Sequence, residues 1–354
     1  MSKTMKAVCV QAKNQVAVVN DVPVPVLGDY EALVKIHSCG FCNGTDFHII
    51  DGSLTKAEGL GEYPTILGHE GCGDIVALGS KVRHLKIGDR YIHPVFHCSD
   101  KYTMTYGNMA EYGIIPDHQA MLEDGCPEED LPFNGNALIG IEPNFAKIPN
   151  TIDPIDGGAL LSLCECFGSV KDFGIGEGAS ILVYGCGPMG LGSIRVMKAL
   201  GASRIVAVDG VDSRLDTAVS KMGADFAVNF TRTNLAEALH GEKFDFVYDA
   251  VGSISILEEG SHFLKPRGKV CGLGVLSAGK DLLNIHNLQN NISYQVHMQP
   301  YKRFSFMPEL VTLIEAGKID PKDFYSHVLP MEDIEKAMEL VRTKQCLKVI
   351  LKID

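Results

Sequence analysis

Ile181-Leu182-Val183-Tyr184 is an uninterrupted apolar run that feeds directly into Gly185-x-Gly187-x-x-Gly190, and residues with helical spacing follow. Strand, glycine turn and helix, in that order, constrain the chain more than any other feature. The first glycine permits the tight turn, the second lets backbone approach a pyrophosphate, and the third lets helix and strand pack closely. The helix N-terminus then faces the phosphate charge. Asp209 ends the next strand candidate, about 20 residues past the motif, where a carboxylate can bond ribose hydroxyls and repel a 2′-phosphate. NAD is therefore expected over NADP. Gly185, Gly187, Pro188, Met189, Gly190, Asp209, Arg214 and Leu273 are the candidate cofactor contacts.

The surrounding residues repeat the same grammar. Strand candidates fall at Ser180–Tyr184, Arg204–Val208, Phe226–Asn229, Phe244–Asp249, Lys269–Leu273 and Ile292–His297, with helices at Met189–Leu200, Ser213–Met222 and Asn234–Leu239. Six strands with helical crossovers make a doubly wound parallel sheet, the Rossmann arrangement. Before it the chain is β-rich. Met5–Gln11, Val16–Val19, Glu31–His37, Gly73–Leu78 and Asp89–Ile92 are strand candidates broken by Asn, Pro and Gly. Helical spacing begins over Gly157–Phe173. After Pro300 come helices at Met307–Glu315 and Ile334–Thr343 and a strand at Leu347–Lys352, which add nothing to the count of six. Two domains are expected: 153–297 as the dinucleotide-binding part, and 1–152 with 298–354 as the other. At 354 residues each has room for its own core. Asp117–Ile141, acidic and aperiodic, reads as a surface loop or as a lid or subunit-contact segment.

A second constellation lies near the start. Cys42, His69 and Glu70 supply a thiolate, an imidazole and a carboxylate, three donors of the kind that hold zinc with a fourth position open. Cys39-x-x-Cys42 has no second Cys-x-x-Cys to complete a structural zinc site, and no thioredoxin-like context. The eleven cysteines are scattered and odd in number, as expected of reduced thiols in a cytoplasmic enzyme. A formal charge of -12 opposes a nucleic-acid partner, no apolar run is long enough to cross a bilayer, and no signal peptide is read at the start.

With these motifs in place the chain resembles the medium-chain zinc-dependent alcohol and polyol dehydrogenases, the sorbitol and threonine dehydrogenase branch most. The resemblance runs through Gly-Phe-Cys and Thr-Asp-Phe-His at 40–48, Gly68-His69-Glu70, Gly88-Asp89-Arg90 and Ala110-Glu111-Tyr112. It continues through the glycine motif, Gly223-Ala224-Asp225 and Leu347–Lys352. It implies an α/β protein with a GroES-like β-rich catalytic domain beside the Rossmann domain, a homodimer or homotetramer, and a small alcohol or ketone as substrate. It also implies a relay in which Thr45 takes the alcohol proton and His48 passes it outward through the cofactor ribose. The family's lobe of four cysteines holding a structural zinc is missing, since Tyr91–Asn108 contains only Cys98, so one zinc per chain is expected. A further departure is Asn43-Gly44, two residues where the family usually has one. The family's other third-ligand position falls at Leu161 or Ser162, neither a good donor, with Cys164 and Glu165 one turn on. Some polyol dehydrogenases use the glutamate of Gly-His-Glu instead. Glu70 is therefore preferred as ligand, and Glu165 becomes a candidate catalytic carboxylate facing the substrate or lying behind the ligands.

The activity expected is hydride transfer between NAD and a secondary alcohol: a polyol, sugar derivative or amino alcohol. Two rivals remain. One is a zinc-free NADPH-dependent quinone or enoyl reductase of the same superfamily, opposed by Cys42, His69 and Asp209. The other is a non-catalytic NAD-binding protein, opposed by Thr45 and His48.

Overall fold

The computed structural model describes residues 3–53, 62–95, 99–104, 107–127, 146–274, 282–296 and 303–353. They form two compact units, residues 1–161 with 325–354 and residues 162–324.

The first unit is built on β-sheets. Thr4–Ala12 and Gln15–Pro23 pair antiparallel, and Asn14 takes the left-handed backbone their tight turn needs, with φ 61°. Thr65–Ile66 joins the first of them, and Thr103–Met104 extends that sheet. In the larger sheet Glu31–Phe41 is the central strand. It pairs antiparallel with Glu70–Leu78, with Val349–Lys352 and with Tyr112–Pro116. Register there positions the site, because Gly40 lies opposite Glu70 on one side and Ile350 on the other. Val8, Val34, Ile36, Phe41, Leu67, Val349 and Leu351 share a buried core that leaves no freedom to slip.

The second unit is a six-stranded parallel sheet. Its order is Phe226–Asn229, Arg204–Asp209, Ser180–Tyr184, Phe244–Asp249, Leu264–Gly272 and Ser293–Val296. Strand order reverses between Ser180–Tyr184 and Phe244–Asp249, and a crevice at such a switch point takes ligands. All five residues of Ser180–Tyr184 are buried, as covering both sheet faces requires. Leu182, Val206, Val228, Val247 and Val270 form the core beneath. Among the described residues no helix is long and apolar enough to cross a membrane.

Several expectations change. Gly157–Phe173 is not one helix: Pro154–Gly157 ends at Gly158, and Leu160–Asp172 begins anew. A β-carbon on Gly157 would lie 2.2 Å from the Cys72 sulfur, so the first turn is pressed onto the sheet and the chain must redirect. Ser213–Met222 starts as α-helix over Asp212–Thr217 and finishes as a π turn over Ala218–Met222. Asp117 opens a short helix, His118–Glu123, by accepting from the Ala120 N–H, while 128–145 lie outside the described residues. The units divide after Leu161 and after Phe324, rather than at 152/153 and 297/298. The return is late because the start of the tail packs on the second unit. Phe306 packs against Phe167 with tilted rings, centroids 6.2 Å apart, and Glu309 pairs with Lys171 at 3.0 Å.

Candidate functional site

Cys42 follows directly on the central strand Glu31–Phe41, while His69 and Glu70 lead into Glu70–Leu78 beside it. The pairing of those strands therefore brings three sequence-separated donors together. Their ligand atoms all lie within 4.8 Å of one another, the one such group among the described residues. His69 Nε2 and Glu70 Oε1 are 4.0 Å apart. Donors around a tetrahedral zinc sit about 3.3–3.8 Å apart, given bonds of about 2.0–2.3 Å, so a slight contraction would seat the ion. The donor set fits zinc. Gly68 precedes the histidine at φ 94°, and a β-carbon there would meet Met109 Cγ at 2.5 Å. Cys39 stays out of the group. It is fully buried, and desolvation drives its thiol pKa well above the usual range.

Two residues complete this centre that sequence reasoning did not single out. Asp46, buried on helix Thr45–Asp51, accepts from the Cys42 N–H at 2.8 Å and faces His69 Nδ1 at 3.3 Å. The contact lies on the ring nitrogen opposite Nε2, which is 4.0 Å from Glu70 Oε1, and a carboxylate so placed can orient a metal-binding imidazole. Burial opposes a charge on His69, yet Asp46 and Cys42 outweigh it and raise the imidazole pKa well above its usual value. Lys348, also buried, reaches Glu70 Oε2 through its ammonium. Desolvation lowers its pKa, but Glu70 and Cys42 raise it further. Asp46 lies within the Thr-Asp-Phe-His run of residues 45–48, and a carboxylate near a candidate ligand is its available signal. Lys348 lies 278 residues from Glu70, and local spacing carries no sign of it.

Thr45 is half-buried and His48 exposed on the same helix, one turn apart. Glu165 is half-buried on Leu160–Asp172 and belongs to the second unit.

In that unit the glycine turn has the expected form. Gly185 sits at φ 91°, and a β-carbon on Gly190 would fall 1.8 Å from the Gly185 carbonyl oxygen, so close packing forbids a side chain. Gly187 caps helix Pro188–Ala199, and Pro188 occupies the first turn, where its missing N–H costs nothing. Met189 lies in that turn, Arg214 on Asp212–Thr217, and Leu273 is buried just past Leu264–Gly272. Asp209 is also buried, and its carboxylate binds backbone. Its Oδ2 accepts from the Cys186 N–H at 2.7 Å and its Oδ1 from the Val211 N–H at 2.9 Å, so the carboxylate staples the turn to its own strand.

Comparison with known proteins joins the two halves. Residues 28–124 match the alcohol dehydrogenase GroES-like domain, and residues 188–315 match the zinc-binding dehydrogenase domain. The chain belongs to the zinc-binding, medium-chain alcohol dehydrogenase family. The L-threonine 3-dehydrogenase of Bacillus velezensis is 26% identical, covering 99% of each chain. The sorbitol dehydrogenase of Ovis aries is 26% identical over 94% of this chain and 92% of that one. Among solved structures, the alcohol dehydrogenase TADH from Thermus sp. ATN1 has a TM-score of 0.77 at 26% identity, covering 98% of this chain and 99% of that one. This dehydrogenase is accordingly an oxidoreductase of an alcohol and polyol dehydrogenase family that binds NAD(P).

Proposed function

We propose that this dehydrogenase oxidises a secondary alcohol (a polyol, sugar derivative or amino alcohol) to the ketone with NAD, using one zinc ion per chain. The observation that carries the reading is the convergence of Cys42, His69 and Glu70. Cys42, His69 and Glu70 would hold the ion, and zinc bound there would supply Lewis acidity toward an alcohol oxygen at its open position. Asp46 keeps the His69 ring aimed, and Lys348 balances the charge of Glu70. Thr45, half-buried, would take the alcohol proton, and exposed His48, one turn on, would release it to solvent. A nicotinamide held at the glycine turn of Gly185, Gly187 and Gly190 would supply the hydride acceptor, and the protein would position it. One feature favours NAD: the buried Asp209 carboxylate beside the glycine turn, which would repel a 2′-phosphate. A cytoplasmic homodimer or homotetramer is the setting the family resemblance suggests. Cys98, on which the count of one zinc rests, lies outside the described residues.

The test is a panel of polyols, amino alcohols and sugar phosphates with NAD and with NADP, read by absorbance of the reduced cofactor, alongside metal analysis. Turnover of a polyol or amino alcohol with NAD, and about one zinc per chain, is expected. Metal-free protein that reduces quinones with NADPH would replace this reading by the zinc-free reductase.

A further inference from the structure

We propose that His93, together with Asn108, is a positioning residue for the metal centre, a role that rests on the zinc reading above. His93 follows strand Arg90–Ile92, is 1% exposed, and holds a left-handed backbone at φ 62°. Residues with a β-carbon are uncommon there, and a buried one is retained only where its surroundings fix it. What fixes His93 is the peptide chain on either side of Glu70. Its backbone N–H donates to the Gly71 carbonyl at 2.7 Å, and its ring Nδ1 bonds the His69 carbonyl. A carbonyl only accepts, so Nδ1 carries the proton. One residue thereby secures both carbonyls that flank Glu70.

Asn108, fully buried, adds a second set of bonds to the same segment. Its N–H donates to the Gly68 carbonyl at 3.0 Å, and its Oδ1 accepts from the Gly71 N–H at 2.7 Å. Its Nδ2 donates to the carbonyl of Pro94, the residue after His93. Asn108 is thus tied to the residue that follows His93 as well as to residues 68–71. The segment presenting two of three metal donors is held by side chains from two separate parts of the chain, not by strand pairing alone. His93 is not a member of the donor group itself. Metal affinity depends on donors held near their bonding geometry before the ion arrives, so loosening the clamp weakens binding although no ligand is lost.

The test uses the full-length protein and three variants. His93→Gly accepts the left-handed backbone but removes the ring donor. His93→Asn tolerates that backbone and offers an amide nitrogen at the same δ position. His93→Asp has the shape of Asn with no donor. Zinc affinity is measured by chelator competition, and geometry by the absorption bands of the cobalt-substituted protein. His93→Gly should bind zinc roughly 10- to 100-fold more weakly with altered cobalt bands, and His93→Asn should recover most of both. If His93→Gly does not fold, the pair decides: His93→Asp should bind zinc more weakly than His93→Asn despite its added negative charge. Variants that match the unaltered protein in affinity and cobalt spectrum would overturn the clamp while leaving the metal site standing. Unaltered protein that binds neither metal through Cys42, shown by no thiolate-to-cobalt band that Cys42→Ser removes, would overturn both.

Discussion

Lys348 and Glu70 are an ion pair with almost no access to water, beside a position suited to a divalent cation. Removing one partner of a buried pair leaves the other uncompensated and costs about 3–5 kcal/mol. Zinc on Glu70 would supply the missing positive charge. Lys348→Met is therefore expected to melt well below the unaltered protein when metal-free, and to regain much of the difference on adding zinc. Its zinc affinity should rise, since a competing cation is gone. Thermal melts with and without zinc check this, and an equal loss in both states would mean that Lys348 acts by packing alone. Cys42, His69 and Glu70 were legible in the sequence because thiol, imidazole and carboxylate are the recognisable zinc donors and two of them are adjacent. Lys348 was not, because strand register brings it in. His93 was invisible for another reason: its role lies in a backbone angle and two carbonyls that no residue pattern encodes.

Elements were legible where burial on both faces writes a continuous apolar run, as in Ser180–Tyr184 and over Ile205–Val208 of the neighbouring strand. They were misread where packing overrides local preference, as at Gly157, which the Cys72 sulfur presses against. The turn after Ser180–Tyr184 carries a prediction of its own. Asp209 accepts from the backbone at Cys186 and Val211, so removing the carboxylate should loosen the turn as well as relieve phosphate repulsion. Asp209→Ala is expected to lower NAD affinity at least about tenfold, the equivalent of one or two charge-assisted hydrogen bonds, without a matching gain for NADP. Titrating both cofactors distinguishes this from a simple switch of preference, in which NADP would bind better than before. Between the strands of the first unit, Arg90 grips Asp74 with bonds of 2.7 and 2.9 Å and also donates to the Ile152 carbonyl at 2.7 Å. Partial burial raises the Asp74 pKa, but Arg90 and His37 lower it further, so the net shift is downward. A carboxyl with a depressed folded pKa stabilises the fold above its unfolded pKa, about 3.9, and loses that contribution as pH falls through the folded value. Asp74→Asn should thus cost about 1–2 kcal/mol at neutral pH, discounted for partial exposure, with the gap to the unaltered protein closing below about pH 4. Urea unfolding across pH measures it, and a gap that widened on acidification would contradict the sign.

At the scale of the whole chain, the sequence carried the presence of two kinds of domain more reliably than their limits. Residues 303–324 fold with the dinucleotide-binding unit because Phe306 and Glu309 find partners there on Leu160–Asp172, and amphipathic spacing does not name a helix's partner. On the function proposed above, the metal and cofactor sites then belong to different units. Cys42, His69, Glu70 and Lys348 all belong to the first, while Gly185–Gly190 and Asp209 belong to the second. A ligand that binds only folded protein stabilises what holds it by RT ln(1 + [L]/Kd), about 2.7 kcal/mol at 100 times Kd. Hydrogen exchange read by mass spectrometry should therefore resolve two separate footprints. Stripping zinc should speed exchange over 39–50, 67–72 and 347–352 and leave 180–210 nearly unchanged. Adding NAD should slow exchange over 184–192 and 209–215, including the Cys186 and Val211 amides that Asp209 holds. Zinc removal that loosened 184–192 as strongly as 67–72 would mean the units do not respond independently. The metal would then have to be treated as a support for the whole fold, and loss of activity on chelation could no longer be taken as evidence for its role in the reaction.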